Sequence, residues 1–227
     1  KSALAAGGFY GLHFGAWVSS LTMTSVAASV TLVTSTPLIL ALFALFSGRD
    51  KPRRAHWFAI ATAMIGLGII GGADLSNPES NLVGDGLAFL GAIAMAGYLL
   101  LARSLGKTLN PLAFTGVATT VGAVTLFIVG TGAGIPWEIP TSTAWKYLFL
   151  AALIPQMIGH TLLTWSLRHV SPTTVGLSTV GEPVGAAFLA WIWLGEWAGT
   201  ATTLGCLITL AAVVLGIMAT NGKNKTE

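Results

Sequence analysis

Eight apolar stretches of about 20 residues follow one another along this chain, at 3–22, 27–47, 55–73, 85–104, 112–132, 145–167, 173–194 and 200–220. A bilayer core about 30 Å thick takes roughly 20 residues of helix, because in lipid each backbone N–H and C=O must be bonded within its own segment. The connections between the stretches are short and rich in Gly, Pro, Asn and Asp, as at 48–54, 74–81 and 134–140, so consecutive helices run antiparallel. Only 8% of the 227 residues are charged, against about 25% in an ordinary soluble domain. So few charges cannot clothe a globule in water, and the expected fold is an all-α polytopic membrane protein with eight transmembrane helices.

The charges also orient the chain. If the helices alternate in direction, Lys1, Arg49, Lys51, Arg53, Arg54, Arg103, Lys107, Arg168, Lys223 and Lys225 share one side, and of the 11 basic residues only Lys146 lies on the other. Basic loops stay on the cytoplasmic side. Both ends of the chain are therefore expected in the cytoplasm, with Asp74, Glu79, Asp85, Glu138 and Glu196 outside and the cytoplasmic membrane as the location. Trp57 near the inner face and Trp137, Trp145, Trp193 and Trp197 near the outer face stand where indoles anchor. The net charge of +3 thus reads as a topology signal, not as a nucleic-acid surface.

The chain is internally similar at an offset of 146: Leu21 pairs with Leu167, Ser25 with Ser171, Pro37 with Pro183 and Ala41 with Ala187. With a slip of two, Leu67-Gly68-Ile69 then meets Leu215-Gly216-Ile217. The loop after the Pro37 segment is strongly basic, whereas the one after the Pro183 segment carries Glu196 and no base, so the two copies are inverted. Inverted repeats let a central site open to each side in turn, which is the logic of secondary transporters. The second copy holds two helices, 85–132, whose counterparts would lie upstream of Lys1 in a stretch of roughly sixty residues, giving ten helices in two sets of five.

Several residues carry the resemblance to a known family. Leu167-Arg168-His169-Val170-Ser171-Pro172 is followed by Val180-Gly181-Glu182-Pro183-Val184-Gly185-Ala186-Ala187-Phe188, then Trp193-Leu194-Gly195-Glu196, and the last helix ends Val214-Leu215-Gly216-Ile217. The first copy reads Ser35-Thr36-Pro37-Leu38 and Ser47-Gly48-Arg49, without the Gly-Glu ending. Together these resemble the EamA-type members of the drug/metabolite transporter superfamily. The resemblance implies residues 1–73 as the last three helices of a first EamA repeat, 74–84 as an extracytoplasmic linker, 85–220 as a complete second repeat of five helices, and 221–227 as a cytoplasmic tail. It also implies a central cavity between the halves and export of small metabolites or drug-like molecules.

Glu182 is the one carboxylate near the middle of a predicted span, where an ionisable group is costly unless paired, protonated or facing water. Thr174 and Ser178 precede it at steps of four, so the three are expected on one inward helical face. Glu182 either accepts a substrate amine or a proton, or serves as a packing residue of a Glu-Pro kink. Pro37 and Pro183 each remove a backbone hydrogen bond inside an apolar helix and are expected as hinges. Gln156, His160 and Thr164 form a second polar stripe, and His13 lies mid-segment with Tyr10 and Trp17 on its face. The histidines either pass protons or bond between helices. Trp17, Tyr98 and Trp165 are candidates for stacking on an aromatic or cationic substrate, with space-filling as the alternative. Gly7, Gly11 and Gly15, and likewise Gly68 and Gly72, recur at steps of four and are expected to let helices approach closely.

No complete Gly-x-x-x-x-Gly-Lys-Thr or Gly-x-x-x-x-Gly-Lys-Ser phosphate loop occurs, no Lys or Arg lies mid-span, and the single Cys206 offers neither a disulfide nor a thiolate metal site. The expectation is therefore a transporter of neutral, zwitterionic or cationic organic solutes that uses no cofactor, metal or catalytic residue and binds a small molecule within the lipid bilayer. Proton coupling and a homodimer are left open, and an intramembrane enzyme or a non-transporting scaffold subunit is the alternative.

Overall fold

The computed structural model describes residues 1–227 apart from 73–81, 106–109, 137–138, 196, 198 and 222–227. Asp74, Glu79, Lys107, Trp137, Glu138, Glu196, Lys223 and Lys225, most of the 74–84 linker and nearly all of the 221–227 tail lie outside the described residues. Among those described, all regular structure is helical: α1 (Ser2–Ser20), α2 (Val26–Val33), α3 (Thr36–Ser47), α4 (Arg54–Gly72), α5 (Leu82–Leu105), α6 (Pro111–Gly132), α7 (Ser142–Ala151), a π-helical segment (Ala152–Gly159), α8 (His160–Ser166), α9 (Pro172–Thr179), α10 (Glu182–Leu194) and α11 (Thr200–Asn221).

Among the described residues six stretches are long and apolar enough to cross a membrane: Ala28–Ser47, Leu82–Leu105, Pro111–Gly132, Ser142–Ser166, Pro172–Trp193 and Thr200–Thr220. The two remaining expected segments are helical as well, but α1 is diluted by glycines, serines and His13 and the apolar part of α4 is shorter, Arg54–Ile70. The helices group into two compact units, residues 1–12 with 97–169 and residues 13–96 with 170–227.

In the second of these units, two of the expected spans are broken helices. Ser25 caps α2 by accepting from Ala28 N at 3.1 Å, and α2 ends at Val33. Pro37 has no N–H to give Val33. The orphaned carbonyl is taken instead by Thr36 Oγ1, which donates to Val33 O at 3.0 Å, while Ser35 Oγ donates to Leu32 O at 2.6 Å. Serine and threonine hydroxyls thus satisfy what the break exposes, as an apolar surrounding requires. Ser171 caps α9 in the same way through Thr174 N, α9 ends at Thr179, and α10 begins at Glu182 ahead of Pro183. Val26 and Pro172, Val33 and Thr179, and Thr36 and Glu182 are each 146 positions apart, as are the first residues of the following helices, Arg54 and Thr200. Both broken helices end on a left-handed glycine, Gly48 at φ 71° and Gly195 at φ 69°, the conformation that glycine adopts without a Cβ clash.

Helices α4 and α11 cross antiparallel at small residues. A Cβ added to Gly66 would come within 2.8 Å of the Thr209 backbone nitrogen, and one added to Gly205 within 2.8 Å of Gly66 O. The close approach therefore falls at Gly66, not at the expected Gly68, beside which a Cβ would meet nothing within 4 Å. Around this crossing Ala41, Ala59, Ile60, Ala63, Leu67, Leu177, Val180 and Ala212 form a buried core. Helix α9 leans on α3 at Gly176, where a Cβ would stand 3.3 Å from Pro37 Cα and 3.0 Å from Leu40 Cδ1.

In the other unit, α6 packs on the first half of α1 at Gly7 and Gly11, in line with the glycine spacing. A Cβ at Gly11 would stand 3.1 Å from Gly122 Cα. Helix α7 continues into α8 through the π-helical segment, which contains Pro155. A proline that cannot donate to the preceding turn suits a widened turn, and such turns gather at functional positions.

Candidate functional site

The polar stripe on the π-helical segment and α8 meets two tyrosines. Gln156 Nε2 donates to Tyr10 Oη, and the His160 ring stands edge-on to the Tyr10 ring, centroids 5.1 Å apart. Tyr98, fully buried, places Oη 3.1 Å from Thr164 Oγ1, which is itself 3.4 Å from Thr115 Oγ1 and donates back to His160 O at 2.8 Å. The Tyr10 and Tyr98 centroids are 4.9 Å apart, and Phe114 stacks on Tyr98 at 5.8 Å. Candidate residues Tyr98, Gln156 and His160 are thus gathered into one cluster of aromatic faces and neutral donors and acceptors, joined by Tyr10, Phe114 and Thr115. None of these side chains is a carboxylate or a fixed cation. Aromatic faces and hydroxyls in such a setting suit a neutral or cationic organic group. Trp165 is half exposed on another face of α8, its ring 4.6 Å from that of His169.

In the other unit, His13 is buried on α1, with Nδ1 2.9 Å from Gly91 O on α5. A carbonyl only accepts, so Nδ1 carries a proton and donates it to Gly91 O; in the neutral ring Nε2 is then an acceptor. The approach is allowed by Gly91, where a Cβ would sit 3.4 Å from His13 O. Trp17 stacks one turn on, 6.0 Å from the imidazole and 22° from parallel, and its Nε1 is buried without a partner among the described residues.

Thr174, Ser178 and Glu182 do not form the single inward face expected of an unbroken helix. The turn at Val180–Gly181 separates α9 from α10. Thr174 is buried, 3.1 Å from Thr220 Oγ1 and 3.4 Å from His56 Nε2, whereas Ser178 is exposed and donates to its own helix at Val175 O. Glu182 opens the first turn of α10 with its side chain exposed, directly ahead of Pro183. An acidic side chain there complements the positive end of the helix. Pro37 and Pro183 both occupy the opening turn of the second half of a broken helix. Among the described residues no group of three His, Cys, Asp or Glu is placed to hold a metal.

Residues 82–218 match the model of the EamA-like transporter family. The chain belongs to that family. As an EamA protein of the drug/metabolite transporter superfamily it is a multi-pass membrane protein of the transporter class. It is 24% identical over 198 residues to the uncharacterized transporter YwfM of Bacillus subtilis, spanning 87% of this chain and 66% of YwfM. It is 21% identical to the uncharacterized transporter YdfC of the same organism, over 96% of this chain and 72% of YdfC. It thus spans about two thirds of the length of these relatives. A crystal structure at 19% identity shares the fold with a TM-score of 0.75, over 96% of this chain and 76% of that one.

Thr115, Phe114 and Tyr10 are not singled out as site residues by the sequence, because contacts across helices leave no local mark. One signal is present for Tyr10: the repeat offset of 146 pairs it with Gln156, the residue that bonds to it.

Proposed function

We propose that this EamA chain is part of a secondary transporter that exports small organic solutes, neutral, zwitterionic or cationic, across the cytoplasmic membrane by alternating access. The observation that carries the reading is the pair of broken helices whose boundaries repeat at one offset, each opening its second half on a proline. Two inverted copies of one broken element supply the symmetry that alternating access needs, since exchanging their conformations opens the path to the opposite side. The proposal includes two sets of five helices, with both ends of this chain on the cytoplasmic side. The basic corner after α3 and the lack of a base in the equivalent corner after α10 support that orientation.

In this account Pro37 and Pro183 are the hinges. The candidate solute contacts are Tyr98, Gln156, His160 and Trp165 in the one unit, and His13, Trp17 and Ser178 in the other. Glu182 exchanges the proton that couples transport to a gradient. The test is uptake of a labelled panel of amino acids and organic cations into proteoliposomes of the protein, with and without a pH gradient. Saturable uptake of at least one solute supports the reading. Liposomes no more permeable than protein-free ones, across the whole panel, refute it.

A further inference from the structure

The corner between α3 and α4 takes no part in the groups described so far. Arg49, Lys51, Arg53 and Arg54 fall within six residues, with Asp50 the one carboxylate among them, and all four cations are exposed. The corner has a defined shape. Gly48 turns at φ 71°, Asp50 holds φ 50°, Pro52 stiffens the entry to α4, and Arg53 Nη1 donates to Ala219 O near the end of α11 at 3.4 Å.

Large apolar side chains flank the cations on both helices. Phe46, in the last turn of α3, is 90% exposed, and Phe58, one turn beyond Arg54 on the same face of α4, is 66% exposed. Exposed phenyl rings at the ends of membrane helices face hydrocarbon, and cations one turn nearer the water stand at the level of lipid phosphates. The equivalent corner after α10 turns on Gly195 in the same way but has no Lys or Arg from 195 to 199, so the feature is particular to one side.

We infer that the α3–α4 corner binds the phosphate headgroup of an anionic phospholipid through Arg49, Lys51, Arg53 and Arg54, with the acyl chains lying along Phe46 and Phe58. A free phosphate would use the cations and have no use for the rings. The inference rests on the membrane placement of these helices and not on the transport proposal.

The test is thermal unfolding of the protein in a neutral detergent with added phosphatidylglycerol, phosphatidylcholine or inorganic phosphate. Phosphatidylglycerol should raise Tm by about 2–4 °C more than phosphatidylcholine at low salt, and the difference should shrink as salt screens the charges. It should vanish in the combined R49Q/K51Q/R53Q/R54Q variant and weaken in Phe58→Ser, which keeps every charge. Equal effects of the two lipids, a salt-independent difference, or a combined variant that still prefers phosphatidylglycerol would overturn the inference. So would inorganic phosphate that matches the lipid. If the combined variant does not fold, the salt titration of the unaltered protein and Phe58→Ser decide.

Discussion

Tyr10 and Gln156 are 146 positions apart and joined by a hydrogen bond from Gln156 Nε2 to Tyr10 Oη. That separation is also the offset at which the broken helices α2–α3 and α9–α10 repeat. In the proposed inverted repeat the two are equivalent positions of the two copies, so the bond joins the copies directly.

The pair is expected to be energetically coupled. Gln156→Leu and Tyr10→Phe should each lower stability by about 1 kcal/mol, and the double variant by less than the two together. Thermal unfolding of the four proteins of the cycle measures this. Strict additivity would show that the bond contributes nothing.

Thr36 is expected to matter because of Pro37. Thr36→Val removes the donor that meets Val33 O and should cost about 1–2 kcal/mol, the penalty for leaving a buried carbonyl unpaired. In a Pro37→Ala background the same change should cost less, since an alanine at that position has an N–H to give to Val33. The comparison needs only the two unfolding differences, and an equal cost in both backgrounds contradicts the account of the break.

Two glycines on α4 should behave oppositely. Gly66→Val drives a side chain into the Thr209 backbone and should destabilise by about 3 kcal/mol or more. Gly68→Ala enters open space and should be neutral or stabilise by up to about 1 kcal/mol through the stiffer unfolded chain. Melting temperatures in detergent decide between this order and its reverse.

Glu182→Gln is expected to fold normally, because the side chain is exposed at the opening of α10 and the amide keeps its size. Uptake driven by a pH gradient should fall at least about tenfold, while exchange of solute against solute persists. If gradient-driven uptake is unchanged, proton coupling does not run through Glu182.

The helical segments were legible because a bilayer imposes length and apolarity on each of them, and Pro37 and Pro183 marked the positions where two would bend. The form of the bends was less legible. Whether a proline kinks a helix or ends it depends on what takes the freed carbonyl, and the hydroxyls of Ser35 and Thr36 allow a full break. The same kind of break carries Glu182 off the line of Thr174 and Ser178 on α9, so a stripe drawn at steps of four overran the real helix. Gly68 and Gly72 share a spacing that permits close contact, but α11 approaches along the face of Gly66, and nothing within α4 records the partner's path. The stripe of Gln156, His160 and Thr164 was visible in sequence. Its partners Tyr98, Tyr10 and Thr115 come from three other helices, and only tertiary packing brings them to it.

Transport in this protein is proposed to need movement of the two broken helices against each other. That movement is tested most directly by cysteines placed at Leu40 and Gly176, which touch where α3 meets α9, in a Cys206→Ser background. Uptake into proteoliposomes is measured before oxidation, after it, and after reduction. The prediction is near-complete loss of uptake when the disulfide forms and recovery when it is reduced. Full uptake with the bond in place would contradict alternating access by these helices.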